Sequence, residues 1–338
     1  MPVCIYAGLA GDTDEGRFRS SGLFRMKNGG SWERLDEKFA SPPEVRAILA
    51  DPDRSGRVTI GTQSGVFRSE DWGDSWRPLA AEKPVLAVWS LFHHPTDKNT
   101  ILAGYEPAAM SRTGDDGANW MKLPFHGDYP AVTVGPDMPK RVTGIAVDPS
   151  RPAEIYASIE IGGLLRSLDD GQSWKAVIDG VYVVEDSVDL HAVAVNPVRA
   201  GEVTITTRVG SFRSVDKGEH WKKLPIPALR EKGSYCRALA YAPGGRPETL
   251  YVGAGNDFDG DKGALYASED DGESWSPIPL PGPLKSTIFA IAVNPRHPDW
   301  LGCATKNGGV FSSEDRGRTW LYAPLPTGAG HIFALAFG

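Results

Sequence analysis

The sequence predicts an all-β fold: one seven-bladed β-propeller of four-stranded antiparallel blades that occupies residues 1–338 as a single domain. Three observations carry this expectation. Seven tryptophans, Trp32, Trp76, Trp120, Trp174, Trp221, Trp275 and Trp320, recur at intervals of 44, 44, 54, 47, 54 and 45 residues. Each closes a variant of the same eight-residue phrase. Four short strand-like runs fill each interval, and a unit of that size cannot bury its apolar face without neighbours, so the period implies a closed or stacked array.

The elements follow in chain order. The chain opens on VCIYAGLA, GLFRMKN and SWERL, which read as the second, third and fourth strands of a blade. Each later unit starts with an apolar run ending in Asn/Asp-Pro or a variant: RAILADP, TGIAVDP, HAVAVNP, RALAYAP and FAIAVNP. A strand such as TIGT (59–62), IYAS (155–158) or LYVGA (250–254) comes next, and then a strand spelled like GVFRS. Four short strands separated by turn residues make a blade. The last run, HIFALAF at 331–337, is a first strand without a blade of its own and is expected to complete the first one, which removes the open edges.

The phrase between third and fourth strands reads SEDWGDSW at 69–76, TGDDGANW at 113–120, SLDDGQSW at 167–174, SVDKGEHW at 214–221, SEDDGESW at 268–275 and SEDRGRTW at 313–320, with a worn copy, RMKNGGSW, ending at Trp32. Asp71 and its equivalents can accept backbone N–H groups in a tight turn, Gly73 and its equivalents supply positive φ, and the Trp anchors the strand that follows. A calcium site would need more than one fixed carboxylate per phrase. The pattern Ser/Thr-x-Asp-x-Gly-x-Ser/Thr-Trp is the Asp-box, and the chain resembles the BNR repeats of the sialidase-like propellers, within the wider WD40/YVTN/BNR-like group. It is also similar in repeat type and length to the photosystem II assembly factor propellers.

Composition bounds the partners. The 43 acidic against 36 basic residues give a net charge of −7, with no Lys/Arg run, which argues against nucleic acid or an anionic membrane surface. Three cysteines, Cys4, Cys236 and Cys303, form no disulfide framework. The opening MPVCIYAGLAG reads as a strand rather than a signal peptide, so a cytoplasmic monomer is expected.

The innermost strands of a propeller line its channel, so their first residues converge on one mouth. Aligned, they give a ring of Arg46, Trp89, Thr143, His191, Arg237, Phe289 and Phe333, and two residues earlier a second ring of Glu44, Ala87, Arg141, Asp189, Tyr235, Thr287 and His331. The loops after the second strands add Thr62, Glu106, Glu160, Thr207 and Lys306. Glu106, Glu160 and His191 are the candidate acid/base residues, and Arg46, Trp89, Arg141, Asp189, Tyr235, Arg237, Lys306 and His331 the candidate substrate contacts. The same carboxylates and imidazole could hold a divalent metal, although the sequence does not require one. The bland alternative is pairing across blades, Glu160 with Arg208 for example. Residues 123–142 and 177–190 are long insertions expected to wall the mouth. NDFDGDKG at 256–263 departs from a calcium loop, with Lys262 at the turn-glycine position, and reads as a solvated loop. His93-His94 replaces the pair before Pro95 and reads as strand-end capping.

The resemblance places the active site on the face away from the Asp-boxes. It implies an enzyme, a hydrolase or lyase acting on a carbohydrate or another small polar or carboxylate substrate. True sialidases carry a Phe/Tyr-Arg-Ile-Pro motif, an arginine triad and a Tyr/Glu pair; the motif is absent, and only Arg46, Arg141 and Arg237 could imitate the triad. The alternative is a non-catalytic scaffold that binds a protein. Concave geometry with ionisable residues favours the first reading; a broad apolar patch would favour the second.

Overall fold

The computed structural model describes residues 3–11, 21–80, 84–127, 138–178, 188–242, 248–282 and 284–338. Seven four-stranded antiparallel sheets follow one another round a channel. In the first blade, Ile332–Phe337 is innermost and pairs antiparallel with Cys4–Leu9, which continues to Gly22–Lys27 and Trp32–Arg34. The innermost strands of blades two to seven are Ala47–Ala50, Ala87–His93, Arg141–Val147, Leu190–Val195, Tyr235–Ala242 and Ile288–Val293. The two ends of the chain thus share one sheet, as the orphan strand implied. The one helical turn described, Asp36–Lys38, is 3-10, and no helix among the described residues is long and apolar enough to cross a membrane.

The core is a series of blade-to-blade seams rather than one central mass. Leu102, Met110 and Phe125 from blade three pack with Val142, Ile145 and Ile159 from blade four, all nearly or fully buried. Each such side chain contributes roughly 1.5 to 3 kcal/mol on burial. Close approach is tightest where a second strand meets the next blade. A Cβ on Gly104 would lie 2.5 Å from Val142 Cγ1, so glycine is required there for contact, not for turning.

Each box folds as a turn closed by its own side chains. In the second blade Ser69 Oγ accepts the Gly73 N–H at 2.7 Å, Asp71 accepts the backbone N–H and hydroxyl of Ser75 at 2.9 and 2.6 Å, and Trp76 Nε1 donates to the Gly73 carbonyl at 3.1 Å. Gly73 has φ of +91° and Trp72 before it +58°. Asp115, Asp169, Asp270 and Asp315 repeat the bonding, and their carboxyls are held down at about 2 by these donors.

In four blades the residue before proline sets the turn after the innermost strand. Asp51, Asp148, Asn196 and Asn294 each cap two backbone N–H groups two and three residues on. In blade three His94 stands there, and Asp97 takes over, accepting from Asn99 N at 3.0 Å and Thr100 Oγ1 at 2.7 Å. The histidine pair therefore stands at the strand end, and Asp97 caps the turn that follows.

Candidate functional site

A β-bulge makes the ring at the channel mouth. In six blades the pairing between innermost and second strand slips by one residue, at Trp89, Thr143, His191, Arg237, Phe289 and Phe333. A bulged residue leaves the ladder and its side chain is re-aimed. All six, together with Arg46 at the head of the second blade's innermost strand, line the channel cavity, of about 310 Å³. Beneath them the channel is lined by Ala47, Ser90, Gly144, Ala192, Ala238 and Ala290, so charged and aromatic groups are confined to the mouth.

Above this ring lies a second cavity, of about 210 Å³, whose walls include Arg46, Trp89, Arg141, Glu160, Asp189, Arg208, Tyr235, Arg237 and Phe258. Arg141 organises it. Its Nε donates to Glu106 at 2.7 Å and its Nη1 to Glu160 at 2.8 Å. Those two glutamates end equivalent strands, Ile101–Glu106 and Ile155–Glu160, of adjacent blades. Burial opposes the charge on Arg141, but the two carboxylates outweigh it and raise its pKa further. The Trp89 indole lies between Arg46 and Arg141, whose guanidinium carbons are 4.6 and 4.5 Å from its ring, and Arg237 sits 4.8 Å from Phe289. Arg46 is paired with Glu44 at 2.6 Å through Nη2. Its Nε and Nη1 are buried without a hydrogen-bond acceptor, as is Arg237 Nη1, which approaches Glu160 only to 3.9 Å.

His191 sits under this layer, buried and packed at 4.6 Å against Tyr235 with the two rings tilted by 39°. Its Nδ1 is 2.7 Å from the Cys236 carbonyl, which can only accept, so Nδ1 carries a proton and Nε2 faces Asp189 at 3.6 Å. Burial alone would raise the Asp189 carboxyl; the neighbouring His191, with Arg208 at 3.8 Å and Arg237, holds it below the ordinary range. Burial pushes the Tyr235 phenol up.

The structure therefore brings together Arg46, Trp89, Arg141, Glu160, Asp189, Tyr235 and Arg237, with Glu106 and His191 one contact away. Several expectations need correction. Glu160 pairs with Arg141 rather than Arg208, which turns to Asp189 instead. Both glutamates close on a guanidinium, and among the described residues no three His, Cys, Asp or Glu side chains group as metal ligands. Lys306 is buried beneath Phe258, its Nζ 3.2 Å from that ring and 2.6 Å from Asp259, and does not line the cavity. His331 lines a separate depression with Asn307 and Leu325. The 256–263 segment is a solvated loop at the mouth, as expected, with Asp257, Asp259 and Asp261 exposed, and it is also anchored: Thr287 Oγ1 donates to the Asp257 carbonyl and Phe258 reaches the cavity wall and Phe289. Phe258 escaped the sequence reading because its acidic neighbours drew attention to metal binding. Most of the two insertions, 128–137 and 179–187, lies outside the described residues; Met138, at the end of the first, lines the cavity.

Comparison with known proteins gives two directions. The family described as Photosynthesis system II assembly factor YCF48 matches residues 25–324. Xyloglucanase Xgh74A of Acetivibrio thermocellus is 27% identical over 295 residues, covering 74% of this chain and 34% of the relative. The chain thus spans about a third of the length of the curated relatives it matches. Among solved structures, the Niastella koreensis GH74 enzyme superposes with a TM-score of 0.63 at 18% identity, over 82% of this chain and 45% of that one. YCF48 bound to D1 peptide superposes with a TM-score of 0.57 at 18% identity, over 88% and 83%. At these identities the structural likeness concerns the fold.

Proposed function

We propose, for a chain that belongs to the Photosynthesis system II assembly factor YCF48 family of BNR-repeat propellers, that the channel mouth binds a saccharide or similar small polar molecule carrying a carboxylate and acts on it as a hydrolase. The observation that carries this reading is the set of buried donors on Arg46 and Arg237 that have no protein acceptor. An unsatisfied buried donor costs about 1 to 3 kcal/mol, and more on a charged group, so an anionic ligand recovers free energy that the folded chain leaves unmet. Arg141, hydrogen-bonded to Glu106 and Glu160, fixes those carboxylates; their remaining oxygens and His191 Nε2 are the groups that would move a proton. Phe258 and Phe333 add aromatic surface for a sugar. The xyloglucanase relatives support carbohydrate as the substrate class.

A thermal-shift comparison of wild type and Arg237→Met against uronic acids, neutral sugars and short peptides tests the reading. A ligand at a hundred times its dissociation constant adds about 2.7 kcal/mol to the folded state. Uronic acids are expected to raise the melting temperature of wild type and not of the variant; an equal shift in both sinks the assignment.

Family membership favours a second reading, in which the same donors take the terminal carboxylate of a peptide. Peptides that shift wild type where uronic acids do not decide for it.

A further inference from the structure

Lys306 carries a charge into the protein at the rim of the mouth without lining the mouth cavity. Its side chain is 1% exposed, and its Nζ lies 2.6 Å from Asp259 Oδ1 and 3.2 Å from the centre of the Phe258 ring. Taking an ammonium out of water is unfavourable, and an apolar side chain of the same length would fill that space without the penalty. Here the charge is met by the Asp259 carboxylate and by two aromatic rings, since Phe289 is 5.7 Å from the same Nζ.

The consequence falls on Phe258. It stands between two exposed acids, Asp257 and Asp259, and yet forms part of the mouth cavity wall. Thr287 ties its loop to Lys306: the Thr287 hydroxyl donates to the Asp257 carbonyl at 2.5 Å, and the Thr287 carbonyl accepts the Lys306 N–H at 2.9 Å. The Lys306 carbonyl accepts the N–H of Ile332, the first residue of the closing strand, at 3.0 Å. The ammonium is thus built into the framework, and it attracts the ring in a place shielded from water, where a cation–π contact is strongest. Phe258 also packs edge-to-face on Phe289 at 5.5 Å, the ring against which Arg237 sits at 4.8 Å.

We infer that Lys306 is a positioning residue of the mouth: its ammonium holds the Phe258 ring, beside the Phe289–Arg237 pair, in the orientation that receives a sugar ring. The inference rests on the saccharide reading of the mouth. An aromatic wall fixed in advance loses less freedom when a ligand arrives, so Lys306 acts on affinity without touching the ligand.

Isothermal titration of glucuronate into the full chain tests this through a double-mutant cycle. Lys306→Met keeps the stem and removes the charge, and Phe258→Leu keeps an apolar side chain and removes the ring. Each is expected to weaken binding about tenfold, and the double variant no further than either, because both changes remove one shared contribution. Asp259→Ala alters an exposed side chain and is expected to weaken binding about threefold, with no effect in the Phe258→Leu background. It carries the test if Lys306→Met does not fold, which melting temperature shows. Losses that add in either cycle mean that the charge acts without Phe258 and overturn the inference, as does full affinity in any single variant; the mouth reading stands in those cases. Failure of wild type to bind glucuronate overturns both.

Discussion

Arg68 of the second blade donates from Nη1 to both the carbonyl and the carboxylate of Asp116 in the third blade's box, at 2.7 and 2.9 Å. Asp116 occupies the left-handed region at φ of +61°, so the guanidinium clamps the one residue of the turn that an L side chain disfavours. Arg25 with Trp72 and Asp74, Arg112 with Asp170, and Arg166 with Lys217 and Glu219 repeat the clamp at three other junctions, while Arg213 reaches Glu273, two residues beyond the left-handed Asp271. Ala267 and Ser312 stand at the equivalent positions of blades six and seven.

Removing a clamp should therefore be expensive. Arg68 is 1% exposed, and Arg68→Met removes its bonds to the Asp116 carbonyl and carboxylate while Arg54 and Arg57 still pair that carboxylate, a cost of about 1 to 3 kcal/mol. Chemical denaturation measures it, and an unchanged midpoint would contradict the clamp.

The two unclamped junctions flank the seventh blade, which precedes the closing strand. Hydrogen exchange is expected to be faster in the Cys4–Leu9 with Ile332–Phe337 ladder than in the Arg141–Val147 with Ile155–Glu160 ladder. Equal protection in the two would mean the arginines do not set seam strength.

Acid should loosen the boxes in a defined window. The carboxyls of Asp115, Asp169, Asp216, Asp270 and Asp315 lie at about 2, below the 3.8 of an unfolded chain. Depressed values mean stability that is present above pH 4 and is lost as pH falls toward 2. Melting temperature is expected to fall across that interval, and Asp270→Asn to flatten its share of the slope. A pH-independent melting temperature between 4 and 2 would count against the hydrogen-bonded turns.

Much of this was readable from residues and spacing because the determinants are local. Asp71, Gly73 and Trp76 act within one turn, and a 44-to-54-residue period repeats them. The ring of Arg46, Trp89, His191 and Arg237 followed from register, although the bulge that aims it did not, since a one-residue slip leaves no compositional trace. Partner choice across blades was opaque. Arg141 capturing Glu106 and Glu160, Arg208 turning to Asp189, and Lys306 going under Phe258 depend on which long side chain reaches which neighbour in three dimensions.

Proton transfer and binding should separate at Glu160. Glu160→Gln can still accept from Arg141, so ligand affinity is expected to stay within a few fold while kcat falls by about 10² to 10⁴. Steady-state kinetics on a hydrolysable uronoside reads both quantities. An unaltered kcat removes Glu160 from the chemistry.

Arg46 and Arg237 carry buried donors without an acceptor at the channel mouth, and one titration decides whether a carboxylate takes them. Glucuronate and its methyl ester differ in the charge and in little else. Isothermal titration is expected to show glucuronate binding wild type at least tenfold more tightly than the ester, with that preference lost in Arg46→Met and Arg237→Met. Equal binding of acid and ester, or a preference that survives both substitutions, would contradict carboxylate recognition.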